Sequence, residues 1–246
     1  RAHSAGIRVI SYDRMVQDAD TDMYISFDNR KVGEIMAQSM LEAIPDGGKI
    51  FMIQGSATDN NVAMVKEGFE DTLKGGNLQV VYEANCEGWT AELAVDFVEE
   101  ALEKYPDVKG IMCGNDDIAS QVIQVLAENQ LAGKVIVVGQ DGDLAACQRI
   151  VEGTQYMTAF KSIEDLARQA AEYAVKMAQE GKVPSDVTDT MNDGSYEVPV
   201  KILAPVAVTR DNIDEVIIDG GFHRRDEVYL NTDYDTDYDN SESYAQ

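Results

Sequence analysis

The chain has 246 residues, 44% of them apolar and 26% charged, a globular composition with enough apolar material for one large core or two modest ones. Forty-five acidic residues against twenty basic ones give a formal charge of −25, a field that repels phosphate backbones and anionic headgroups and so excludes nucleic acid and membrane surfaces as partners. No apolar run reaches the roughly 18 residues a membrane span needs, and three scattered cysteines exclude a disulfide framework.

The opening Arg1-Ala-His-Ser-Ala-Gly reads as the end of a helix feeding the apolar run 7–12 (IRVISY), so the chain has the look of a fragment that starts inside a strand-helix unit. Residues 30–44 place Val32, Ile35, Met36, Met40 and Ala43 at helical spacing behind the cap candidates Asp28 and Asn29. Strand-like runs follow at 49–54, 78–83, 109–113, 134–139 and 155–160. A helix over 162–180 carries Ile163, Leu166, Ala170, Ala174 and Met177 on one face, with Ser162 and Asp165 as a capping box, Gly181 as terminator and Pro184 beyond. Residues 185–208 hold a polar linker and then EVPVKILAPVAV, interrupted by Pro199 and Pro205, which reads as a crossing or edge segment. Cys113 in a strand and Cys147 in a helix read as small buried hydrophobes.

Apolar strands alternating with helices make β-α-β units and a parallel sheet, so the fold class is α/β. Residues 226–246 are acidic, and most are Asp/Tyr/Thr repeats with nothing to pack, so this segment reads as a disordered tail. Its D-x-D-x-D spacing lacks the Gly and the terminal Glu with which a calcium loop turns and binds bidentately.

Ligands of open parallel sheets bind outside the carboxyl ends of the strands, where loops converge. Six successive strands here end on polar or aromatic groups: Asp13-Arg14, then Asp59 and Asn61, Trp89, Asn115-Asp116, Gln140-Asp141 and Lys161. Each has a plainer reading. Asp59, Asn115 and Asp116 suit helix caps, Asp13 and Arg14 an ion pair, Trp89 a core or rim position, and Lys161 a solvated surface. Together they suit a guest whose hydroxyls both donate and accept and which offers an apolar face to an indole, as sugars do. A phosphorylated ligand does not fit: the carboxylates repel it and no phosphate-binding loop is present. The sequence calls for no cofactor and no metal. Its two histidines, His3 and His223, lie near the ends, so a His-based catalytic centre is disfavoured, although two carboxylates such as Asp13 and Asp141 keep a glycosidase as a weaker reading.

At YDRMVQDADTDMYISFDN (12–29), TDNN (58–61), CEGW (86–89), GND (114–116), GQDGDLA (139–145), GTQYMTAFK (153–161) and IIDGGFH (217–223) the chain resembles the periplasmic D-xylose-binding proteins of bacterial ABC importers, within the ribose-binding-like type I family. The resemblance spans about residues 1–225 and implies a two-lobed, non-catalytic binder. It implies that Asp13 and Arg14 bind sugar hydroxyls from the first lobe and Asp59, Asn61, Asn115 and Asp141 from the second, while Trp89 stacks on the pyranose and Lys161 donates near the crossover. It further implies a periplasmic or envelope-anchored location, D-xylose as the monosaccharide, a membrane permease as partner, and hinge crossings near 27–29, 160–162 and the 190s.

On this reading residues 28–161 form a complete second lobe. Residues 1–27 and 162–190, with C-terminal pieces to about 225, form a first lobe that lacks its early units. A sensor subunit serving a membrane kinase, or the effector-binding core of a LacI-type transcription regulator, would share these features and stand as alternatives.

Overall fold

The computed structural model describes residues 1–232. Its first half runs β1 (Ile10–Tyr12), β2 (Met23–Phe27), α1 (Asn29–Ala43), β3 (Gly48–Gln54), α2 (Asn60–Leu73), β4 (Leu78–Asn85), α3 (Leu93–Lys104), β5 (Gly110–Cys113) and α4 (Asp116–Glu128). It continues with β6 (Ile136–Gln140), α5 (Leu144–Glu152), β7 (Met157–Phe160), α6 (Ile163–Glu180), β8 (Asp189–Asn192), β9 (Glu197–Leu203), β10 (Val206–Val208) and α7 (Arg225–Val228).

These strands make two sheets. One has the order β1-β2-β9-β8, with β8 antiparallel to β9; the other has the order β10-β7-β6-β5-β3-β4, with β10 antiparallel to β7 and the rest parallel. The larger sheet is apolar on both faces because helices cover both. Phe51, Ile53, Ile111 and Val137 pack with α3 and α4, while Ile50, Met52, Met112 and Val138 pack with α1 and α2. The smaller sheet sets Met23, Ile25 and Phe27 against Leu166, Tyr173 and Met177 of α6.

Local signals place the helix starts. Asp28 accepts from the Lys31 amide at 2.9 Å, Asn115 from Ile118 at 2.9 Å and Ser162 from Asp165 at 3.3 Å, each satisfying a donor that the first helical turn leaves free. Gly181 ends α6 in the left-handed conformation. The three cysteines are free and buried, and no helix among the described residues is long and apolar enough to cross a membrane.

Four features differ from the sequence reading. Strand β2, buried along its whole length, was not singled out as a strand; it is the inner partner of both β1 and β9. The extended segment is two strands: β9 is an inner strand of the small sheet, and β10 is the edge of the large one. The third crossing therefore falls at Ala204-Pro205 rather than in the 190s, because Leu203 still pairs with Phe27 while Val206 already pairs with Phe160. Beyond Pro205 the chain joins the second lobe rather than completing the first: Val208, Ile213, Ile217 and Val228 form one core with Cys147, Ile150 and Val151.

Residues 226–232 correspondingly do not behave as a tail. Val228 is fully buried, and the Tyr229 hydroxyl donates to Asp214 at 2.8 Å. The expected disorder and the D-x-D-x-D stretch over 233–246 lie outside the described residues.

The hairpin of β8 and β9 also fixes the acidic loop before β2. Buried Asp193 accepts from the amides of Ala19 and Asp20 at 2.9 Å each, Ser195 at 3.0 Å and Tyr196 at 2.8 Å. Burial raises its carboxyl, and the four amides outweigh that and lower it to about 2.

Candidate functional site

The strand ends of both sheets face a shared cavity of about 440 Å³. From the small sheet come Tyr12, Asp13, Arg14 and Phe27; from the large one come Asn61, Trp89, Asn115, Gln140 and Asp141; Asn29 and Lys161 stand at two of the crossings. Of the eight residues the sequence singled out, seven line the cavity. Asp59 lies one bond away, in an adjoining recess that Arg14, Asn61 and Trp89 share.

On the first wall, β1 ends in a tight turn at Asp13, whose backbone is left-handed at φ 62°. The turn is held through the Asp13 carbonyl, which accepts from the Tyr24 hydroxyl at 3.0 Å and the Ser26 hydroxyl at 2.7 Å. Arg14 next to it sends its Nε to Asp59 Oδ2 at 2.7 Å and lies 3.6 Å from Asp13.

On the opposite wall, Asp59 caps α2 through the Asn61 amide at 3.0 Å and also accepts the Trp89 indole N–H at 3.2 Å. Burial raises its carboxyl, and the Arg14, Asn61 and Trp89 donors outweigh that, holding it below the usual carboxylate range. Trp89 is half-buried, left-handed at φ 60°, and lies against Gly55; a Cβ on Gly55 would come within 2.3 Å of the indole ring. Asn115 uses its carbonyl as the cap of α4, and its amide N–H₂ has no partner among the described residues.

Asp141 is the third left-handed position, at φ 107°, and its carboxylate lies 3.0 Å from Lys161 Nζ. Lys161 also stands 5.8 Å from the centre of the Phe27 ring. Non-glycine residues seldom adopt such backbones, and they concentrate where a structure fixes a ligand contact. Behind this wall, burial pushes Asp116 up to about 7, the Asp141 charge adding to the rise and the Gln155 and Thr158 donors opposing it.

Among the lining residues outside the expected binding set, Asn29 entered the sequence reading only as a cap candidate and Gln140 only as the strand-end neighbour of Asp141. Asn29 Nδ2, Asn61 Oδ1 and Gln140 Oε1 are buried polar atoms with no partner among the described residues, and all three side chains line the same cavity. Native interiors pair nearly all such atoms, so three orphans around one space mark a place where a polar guest completes the bonding. Gln140 directly precedes Asp141 at the end of β6, and Asn29 directly follows the cap of α1; adjacency to those groups was the available signal.

Amides and an ammonium donate, carboxylates accept, and Trp89, Phe27 and Tyr12 offer apolar ring faces. A cleft of this chemistry between two sheets joined by three crossings defines a bilobal binding protein for a small polar ligand. Residues 1–182 match the family model described as periplasmic binding protein domain, and the chain belongs to that family. It is 39% identical over 233 residues to the D-xylose-binding periplasmic protein of Haemophilus influenzae and 40% identical over 232 residues to that of Escherichia coli, covering 93% and 92% of this chain and 69% of each relative. Among solved structures it superposes with a TM-score of 0.82, at 27% identity, on a carbohydrate transporter solute binding protein from Chloroflexus aurantiacus in complex with D-glucose, covering 92% of this chain and 75% of the other.

Proposed function

We propose that this protein binds a monosaccharide, D-xylose foremost, in the cleft between its sheets and presents it in the periplasm to the membrane permease of an ABC importer. The observation that carries this reading is the set of amide atoms on Asn29, Asn61 and Gln140 that have no partner among the described residues, around one cavity that three aspartates and an indole also line. The relatives named for D-xylose supply the choice of sugar.

In this reading Asp13 and Asp141 accept from sugar hydroxyls while Arg14, Asn61, Asn115 and Lys161 bond its oxygens. Trp89 covers the apolar face of the ring, and Asp59 orients Arg14 and Trp89 through its two bonds. The role is binding rather than catalysis. A guest held by both walls interacts more strongly with the closed arrangement than with an open one, and that difference shifts the population toward closure.

Calorimetric titration with a panel of pentoses and hexoses tests the assignment. D-xylose is expected to bind with one site per chain and to rank first. Absence of binding by every sugar in the panel would refute the reading, and another sugar ranking first would replace the choice of xylose.

A further inference from the structure

One buried acidic side chain stands behind the cleft without lining it. Asp116 is the first residue of α4, yet Asn115 caps that helix, so the Asp116 carboxylate is not needed to start it. The side chain turns inward and is 1% exposed. Its Oδ2 accepts from the amides of Gly142 at 3.0 Å and Asp143 at 3.1 Å and from the Thr158 hydroxyl at 2.8 Å, while Oδ1 accepts from Gln155 Nε2 at 2.9 Å.

The surroundings are built for this carboxylate. A Cβ on Gly139 would lie 2.3 Å from Asp116 Oδ1. Arg149 braces the same group, donating to Gln155 at 3.0 Å, Ser120 at 2.9 Å and the Asp116 carbonyl at 3.2 Å. Burying a carboxylate is costly unless its bonds are met, and here four donors meet them. Two of the four are the amides of the residues immediately after Asp141.

We infer that Asp116 is a positioning residue for Asp141: by gripping the Gly142 and Asp143 amides it fixes the left-handed turn at Asp141 and so aims that carboxylate at the cavity. Thr158 acts with it, since its hydroxyl donates to Asp116 and accepts from Gly142 at 3.1 Å. Sugar affinity then depends on a side chain that never meets sugar. The inference rests on the sugar-binding reading of the cleft for its functional consequence, but not for its structural one.

Two measurements on the full chain separate the two. Hydrogen exchange at the Gly142 and Asp143 amides, read without sugar, is expected to accelerate in Asp116→Asn and in Thr158→Val and to stay unchanged in Thr158→Ser; unchanged exchange in Thr158→Val overturns the inference whatever the cleft binds. D-xylose titration is expected to show about tenfold weaker binding in Asp116→Asn, recovery in Thr158→Ser relative to Thr158→Val, and little further loss when Asp116→Asn is added to Asp141→Asn. An equal penalty in both backgrounds, or full affinity in a folded Asp116→Asn protein, overturns it. If the unsubstituted protein binds no sugar, the reading of the cleft fails while the exchange result still decides the role of Asp116. Thr158→Val is close to isosteric, so the pair of Thr158 variants carries the test if Asp116→Asn does not fold.

Discussion

Arg14 of the small sheet donates its Nε to Asp59 of the large sheet at 2.7 Å, so the two walls of the cleft are joined by an ion pair as well as by the chain. The same carboxylate holds the Trp89 indole at 3.2 Å. One residue thus links the first lobe, the start of α2 and the aromatic wall.

Arg14 is largely exposed, so the pair stabilises the closed arrangement by about 1 kcal/mol at most. Arg14→Gln is expected to shift the open-closed balance about fivefold toward open. Small-angle scattering of the protein without added sugar would then give a larger radius of gyration; an unchanged value would mean the pair does not set the balance.

Asp141→Asn removes a charged acceptor from the cavity and leaves Lys161 without its partner at 3.0 Å. Hydrogen bonds to charged groups are worth about 1.5–3 kcal/mol, so D-xylose affinity is expected to fall by about 10- to 150-fold. Calorimetry yielding the unsubstituted affinity would remove Asp141 from the binding set.

Trp89 is the sole tryptophan of the chain. Its emission should therefore report the cleft alone, changing and saturating on titration with D-xylose at the concentration calorimetry gives. Gly55→Ala pushes a methyl into the indole ring and is expected to weaken binding while leaving the secondary structure intact. Emission that stays flat through a calorimetrically observed titration would place the sugar away from the indole.

Asp193 gives a pH dependence with a definite sign. Its folded carboxyl sits at about 2, below its ordinary value of 3.8, so the stability it contributes is fully present above the ordinary value and is lost as pH falls toward about 2. Urea midpoints between pH 5 and pH 2 should fall less steeply in Asp193→Asn than in the unsubstituted protein. Parallel slopes would show that the four amides do not favour the charged form.

The sequence carried the logic of strand ends well, because parallel strands bring their carboxyl ends to one edge whatever the details of packing. That rule alone gathers Asp13, Asn61, Trp89, Asn115, Asp141 and Lys161. It reaches Asp59 only through its neighbours. Strand β2 was hidden because five buried residues following DADTD show no alternation and merge into the acidic loop. What holds that loop is Asp193, more than 170 residues further along, and periodicity has no means of finding such a partner. Pro205 was seen as a break, but whether an extended run continues one sheet or changes to another depends on which neighbours it pairs with. Asn29 and Gln140 are ordinary amides by composition; what distinguishes each is one buried amide atom without a partner among the described residues, and that is visible only in three dimensions.

The three crossings do not lie apart. The Asp28 amide bonds the Leu203 carbonyl at 2.9 Å, and Phe160 pairs with Val206, so all three connections are laced side by side. Bodies joined by adjacent threads along one line swing about that line and resist twisting or sliding. A guest in the cleft would then be reported outward as a single angle, and a receptor touching both bodies would need to gauge only that one coordinate to tell a loaded carrier from an empty one.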